Sequence, residues 1–127
     1  MRPRRLLAVF ALISGSLYVS AAPALAQPPN DTIEGATVVA LPFLGEADTT
    51  EATTDDVDAS LNEEFCGAPS TDASVWYTFT AEEDLRVDVF VGESDYSAGV
   101  IVASGLPEAL NFEGCGPEAV FFFAVAG

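Results

Sequence analysis

No lysine and no histidine occurs anywhere in the 127 residues, and three of the four arginines lie within the first five positions. From residue 27 onward a single basic side chain, Arg86, stands against twenty carboxylates. Each absence closes off a class of function. Phosphate backbones are gripped by Lys and Arg that displace condensed counterions, so nucleic acid is excluded as a partner, and anionic membrane surfaces with it. General acid–base work near neutral pH most often runs through His, and a Ser, Thr or Cys nucleophile needs an adjacent base. Only carboxylates remain for either task. Carboxylate pairs do serve glycosidases and aspartic proteases, but among twenty acids some pair always lies within reach, so the pattern has no specificity. The residue content points away from an enzyme.

Cysteine is scarce too, with Cys66 and Cys115 as the only two. Two cysteines in an exported chain most often pair, and a Cys66–Cys115 disulfide would stabilise the domain by about 4 kcal/mol on the chain-entropy model. A reactive thiol is the competing reading, and it lacks a His or Lys to lower its pKa. Also missing is an apolar run long enough to span a bilayer, which takes about 20 residues. The stretch from Leu6 to Val19 is interrupted by Ser14, Gly15 and Ser16 and soon meets Pro23. Preceded by Arg2, Arg4 and Arg5 and followed by Ala24-Leu25-Ala26, it predicts an export signal over residues 1–26, cleaved between Ala26 and Gln27. The chain is thus expected to be secreted, with no membrane span in its mature part. A glutamine at position 27, where a lipoprotein would have cysteine, argues for release. Arg4-Arg5 leaves both the ordinary and the twin-arginine export routes open.

The 101 residues from Gln27 to Gly127 carry a formal charge of −19. That charge keeps a chain soluble and opposes its compaction by self-repulsion. A domain of this size buries only about 60–70% of its unfolded surface. Within it the periodicity is that of short strands between turn-rich segments, and nowhere does a helical pattern persist for three turns. Residues 37–43 are β-branched and apolar but contain Pro42, which suits the end of an edge strand. Residues 74–80 alternate Val75, Tyr77 and Phe79 against Trp76, Thr78 and Thr80, and in 85–91 Leu85, Val87, Val89 and Val91 share one face. Ala81-Glu82-Glu83-Asp84 joins these two runs at hairpin length. Residues 99–103 and 119–126 read as buried strands. Residues 45–73 read as a long acidic loop with one weak strand over 45–54, and residues 104–118, with Pro107, Gly114, Gly116 and Pro117, as a second loop. No internal repeat occurs. The expected fold is all-β, an antiparallel β-sandwich of jelly-roll type. It would occupy residues 37–127, with 27–36 as an N-terminal lead-in.

An ordered series of short phrases goes further: Asn30-Asp31, Gly35-Ala36-Thr37, Leu41-Pro42-Phe43, Asp48-Thr49-Thr50 with Ala52-Thr53-Thr54, and Ser74-Val75-Trp76-Tyr77-Thr78-Phe79-Thr80. Asp95-Tyr96 leading into Val100-Ile101-Val102, a cysteine in the following loop and a closing Ala126-Gly127 complete it. The series resembles the bacterial pre-peptidase C-terminal domain and its relatives over most of residues 30–127. The resemblance implies a secreted β-sandwich module of the kind appended to exported proteases and other extracellular proteins. In that pattern the closing Ala-Gly leads into one more strand, so the sandwich is expected to be truncated at its C-terminal end. The strand at 119–126, with Phe121, Phe122 and Phe123, would then lack a neighbour and be prone to aggregation.

Two candidate sites follow. Ca²⁺ takes six to eight oxygen ligands from carboxylates and loop carbonyls, and Asp55, Asp56, Asp58, Glu63 and Glu64 are the densest group; Asn30, Asp31 and Asp72 form a second set if the domain start packs beside that loop. Neither set has the spacing of an EF-hand, and a solvated acidic surface explains the same residues. Trp76 is either a stacking platform for polysaccharide or a large aromatic filling a small interior. Asn30-Asp31-Thr32 matches a glycosylation acceptor. The expected role is a secreted, non-catalytic accessory module that supports the stability, folding or adhesion of an attached or associated extracellular protein. The alternative is a module binding polysaccharide or protein, Ca²⁺-stabilised or not.

Overall fold

The computed structural model describes residues 26–61 and 73–127. Residues 1–25 of the expected export signal, Glu63, Glu64, Cys66 and Asp72 therefore lie outside the described residues. What is described is mostly strand with little helix, an all-β fold built mainly from antiparallel pairs: β1 (Thr37–Val38), α1 (Asp56–Leu61), β2 (Tyr77–Thr78), β3 (Leu85–Phe90), β4 (Gly99–Leu106), β5 (Ala109–Pro117) and β6 (Ala119–Ala124), preceded by a 3₁₀ turn at Ile33–Gly35.

The alternation in β3 is that of a sheet with one wet face. Leu85, Val87 and Val89 point inward and Arg86, Asp88 and Phe90 outward, because successive side chains of a strand leave on opposite faces. Antiparallel to β3 runs β6, in the register Val87↔Phe122 and Val89↔Val120, so the inner faces of both strands coincide. Phe122 meets Phe79 at a ring-centroid distance of 6.3 Å and an interplanar angle of 47°, a tilted geometry worth about 0.5–1.5 kcal/mol beyond the area it buries. Val87 is the buried centre of this layer. One side-chain and one backbone acceptor close its ends: Ala126 N–H donates to Asp84 Oδ1 at 2.9 Å, and Val91 N–H to Glu118 O at 2.7 Å.

β4 and β5 form an antiparallel hairpin from Gly99↔Pro117 to Leu106↔Ala109, with a register shift between Val102 and Ala103. Residues 104–118, expected as a loop, are thus the end of one strand and the whole of another. Pro107 and Glu108 make the turn, where the fixed φ of proline favours reversal. At Gly105 the backbone takes φ +106°, and a Cβ there would lie 2.5 Å from Ala109 O. That conformation and that approach both require glycine.

Three further expectations change. Residues 74–80 and 85–91 do not pair across Ala81–Asp84; β2 instead pairs in parallel with β1, Thr37 opposite Tyr77 and Val38 opposite Thr78, and β3 takes β6. Only Thr37–Val38 of the 37–43 run is strand, and Pro42 at its far end has no N–H to give a ladder. No strand forms over 45–54, and the acidic segment beyond it contains α1.

Candidate functional site

The start of the domain is held by two buried polar residues, Asn30 and Asp31. Asn30 O accepts the Trp76 N–H at 2.8 Å and Asn30 Nδ2 donates to Trp76 O at 3.0 Å. The same Trp76 carbonyl accepts the Thr37 N–H at 3.0 Å, so the peptide before β2 locks Asn30 and β1 together. Asp31 uses both oxygens on one residue: Oδ1 accepts the Thr53 N–H and Oδ2 the Thr53 hydroxyl, each at 2.6 Å. Charge-assisted bonds of this length are roughly twice as strong as neutral ones. Residues 30 and 31, expected as lead-in, are structural members of the domain.

Trp76 itself is half-buried, and its indole Nε1 is buried without a hydrogen-bond partner among the described residues. The ring therefore turns its polar edge inward.

The carboxylates of the acidic segment are placed individually. Asp55 Oδ1 accepts the N–H groups of Val57 (2.8 Å) and Asp58 (3.0 Å), while Asp58 Oδ2 accepts the Asp55 N–H at 3.0 Å. This is a reciprocal capping box, with Asp in both positions, and it satisfies donors that the first turn of α1 leaves open. Asp58 is buried in that role and Asp56 is exposed. Among the described residues no group of three or more His, Cys, Asp or Glu is gathered so as to hold a metal. Asp55→Ala is expected to lower stability by about 1 kcal/mol, and the loss should show as a fall in the denaturation midpoint at unchanged m-value.

Beside the Asn30 lock lies an open cleft of about 470 Å³, lined by Pro29, Phe43, Glu46, Asp48, Glu51 and Tyr77 among others. Its floor is a ring pair: Phe43 and Tyr77 sit 5.4 Å apart, tilted by 45°. The Phe43 ring folds back over Gly45, where a Cβ would meet it at 2.5 Å, so the glycine admits this ring position. The rim is anionic. Asp48 accepts the Thr50 hydroxyl at 2.6 Å and the Thr50 N–H at 2.9 Å, and these two bonds, the hydroxyl first, hold its carboxyl below the ordinary carboxylate range against a small opposing effect of desolvation. A lowered value in the folded state means that the stabilisation is present above the ordinary range and lost as pH falls through the lowered one. Thr50→Val, which keeps the N–H and removes the hydroxyl, is expected to bring the Asp48 titration part of the way back, measured by carboxyl-carbon NMR.

On the outer side of β3 and β6, Arg86 is bound twice. Its guanidinium meets Asp88 Oδ1 at 2.6 Å and lies 4.5 Å from the centre of the Phe121 ring. On the same face Phe90, Phe121 and Phe123 are each more than half exposed.

The sequence left Trp76 as either a stacking platform or an aromatic filling the interior; the structure half-buries it, and the exposed rings that line the cleft are Phe43 and Tyr77. Alternation marked Tyr77 as lying on the face opposite Trp76. Nothing local joins it to Phe43, 34 positions earlier. The chain matches no family model, no curated protein and no solved structure.

Proposed function

We propose that this chain is a secreted, non-catalytic accessory module, a β-sandwich of jelly-roll type resembling the pre-peptidase C-terminal domain, that stabilises or anchors an extracellular protein to which it is attached or bound. The observation that carries the reading is how its apolar surface is distributed. Among the described residues only Ala52, Leu61, Ala81 and Val87 are buried apolar side chains and no large one is fully buried, although half of the sequence is hydrophobic. Phe90, Phe121 and Phe123 instead gather on the outer face of β3 and β6, and contiguous exposed apolar patches mark interaction surfaces. Burial of such a face against a neighbouring protein would stabilise both, at roughly 25 cal/mol per Å².

In this reading the Cys66–Cys115 disulfide ties the acidic segment to the half-buried inner part of β5 and resists the self-repulsion of a strongly anionic chain. The anionic surface keeps nucleic acid and anionic membranes away; among the described residues no helix is long and apolar enough to cross a membrane. The test is export and protection together. Material from the culture medium is expected to begin at Gln27 with both thiols oxidised, and a fused exported hydrolase is expected to survive heating longer than the same hydrolase without the module. Retention in the cytosol with residues 1–26 attached, or equal half-lives with and without the module, would overturn the proposal.

A further inference from the structure

We infer that the cleft between Phe43 and Tyr77 is a binding site for an organic ammonium group. Three features of the cleft converge on that chemistry. The first is the ring pair, 5.4 Å apart and tilted by 45°, which presents the electron-rich faces that attract a cation within about 6 Å of a ring centroid. The second is the rim, where Glu46, Asp48 and Glu51 line the same cleft and no basic residue does; the Thr50 bonds keep Asp48 ionised. The third is the volume, about 470 Å³, within the range of sites for small organic ligands and much larger than a bare metal ion needs.

The charge of the site selects against the alternatives. An anionic ligand would face three carboxylates against a single counter-charge, the amino terminus that cleavage before Gln27 leaves on the lining, so the cleft stays net negative. A metal ion would gain nothing from two apolar rings, since hard cations take oxygen ligands. An alkylammonium uses both halves of the cleft, its alkyl part against Phe43 and Tyr77 and its N–H donors toward the carboxylates, while the summed negative field of the chain steers it inward. The group is supplied either by a small amine or by a lysine side chain of a protein partner.

The experiment is a titration of the exported chain, followed by amide NMR at fixed ionic strength, with spermidine in one arm and an N-acetylated, C-amidated Gly-Lys-Gly peptide in the other. Both arms are expected to move the amides of Phe43, Tyr77 and residues 46–51 in a saturable way that equal NaCl does not reproduce. Tighter binding of the peptide assigns a protein-borne lysine, and tighter binding of spermidine a free amine. Phe43→Leu keeps apolar volume and removes one ring face; it is expected to weaken binding about threefold to fivefold. Glu51→Gln, on an exposed residue and with near-identical shape, is expected to weaken it also and to flatten its salt dependence. Shifts spread evenly over the acidic surface, or an unchanged dissociation constant in Phe43→Leu with native circular dichroism, would overturn the assignment. The inference goes beyond the accessory role, and the titration reads the cleft directly, so a failure here leaves the heating result and the role that rests on it where they stood.

Discussion

Val87→Asp will show no cooperative unfolding transition in urea, whereas Asp88→Ala, one residue further along the same strand, will lose less than about 1 kcal/mol. The two positions differ only in the face they occupy. Val87 is buried opposite Phe122, beside the Phe79 and Phe122 rings, and no cation among the described residues lies on that face: Arg86 is directed outward, onto Asp88 and Phe121. A carboxylate placed at position 87 would be an unpaired buried charge, whose cost exceeds the exceptional threshold of about 4–5 kcal/mol for a single substitution. Typical domains hold 5–15 kcal/mol in all, and this one opposes a large net negative charge. Val87→Ala, by contrast, removes contacts without adding charge and is expected to cost about 2 kcal/mol. Asp88 is the control because both it and Arg86 are more than half exposed, where an ion pair contributes little. An Asp88→Ala loss as large as that of Val87→Ala would show that the outer face, not the inner one, holds the sheet together.

Asp31→Ala is expected to lower the melting temperature by about 10 °C. The side chain is buried, and its two oxygens hold Thr53 by both N–H and hydroxyl across 22 residues of chain. Removing an acceptor set of this kind costs about 2 kcal/mol, with Thr53 exposed enough for water to recover part of the loss. For a domain near 100 residues each kcal/mol moves the midpoint by about 4–8 °C. Loss of one negative charge from a strongly anionic chain works in the opposite direction and is smaller, being spread over the whole surface. Asp31→Asn separates the two effects: it removes the same charge but keeps one acceptor, so it should fall between wild type and alanine. A melt of Asp31→Asn indistinguishable from that of Asp31→Ala would show that the one acceptor kept holds nothing and that both carboxylate oxygens are needed. Calorimetry at fixed ionic strength makes the comparison.

Legibility in the sequence varied with how local the cause was. The inward set Leu85, Val87 and Val89 could be read directly, because alternation is a property of one strand and needs no partner. Strands at 99–103 and 119–126 could be read too, but not their burial: no residue of either run is buried, and Phe121 and Phe123 face solvent. β5 escaped notice: Asn111, Gly114, Gly116 and Pro117 are turn formers by propensity, yet pairing with β4 gives the segment a ladder that outweighs propensity. The parallel join of Thr37 to Tyr77 was equally hidden, as it links short runs 40 positions apart. In the acidic segment composition was visible but role was not. Asp55 and Asp58 stand three apart, a spacing that carries the capping box, and among so many acids that spacing does not stand out.

What the sequence alone determined is chemical character: strand periodicity, a surface almost without cations, and a residue set with neither lysine nor histidine. These follow from which side chains are present and how they alternate, and no folding can add a lysine. Which carboxylates are spent on backbone donors, which rings face solvent and where Arg86 is bound were decided by tertiary structure. Those outcomes depend on contacts between distant segments, Asp31 with Thr53, Phe43 with Tyr77 and β3 with β6, and each contact forms only when the loop between its partners has closed and the gain exceeds the entropy lost in closing it.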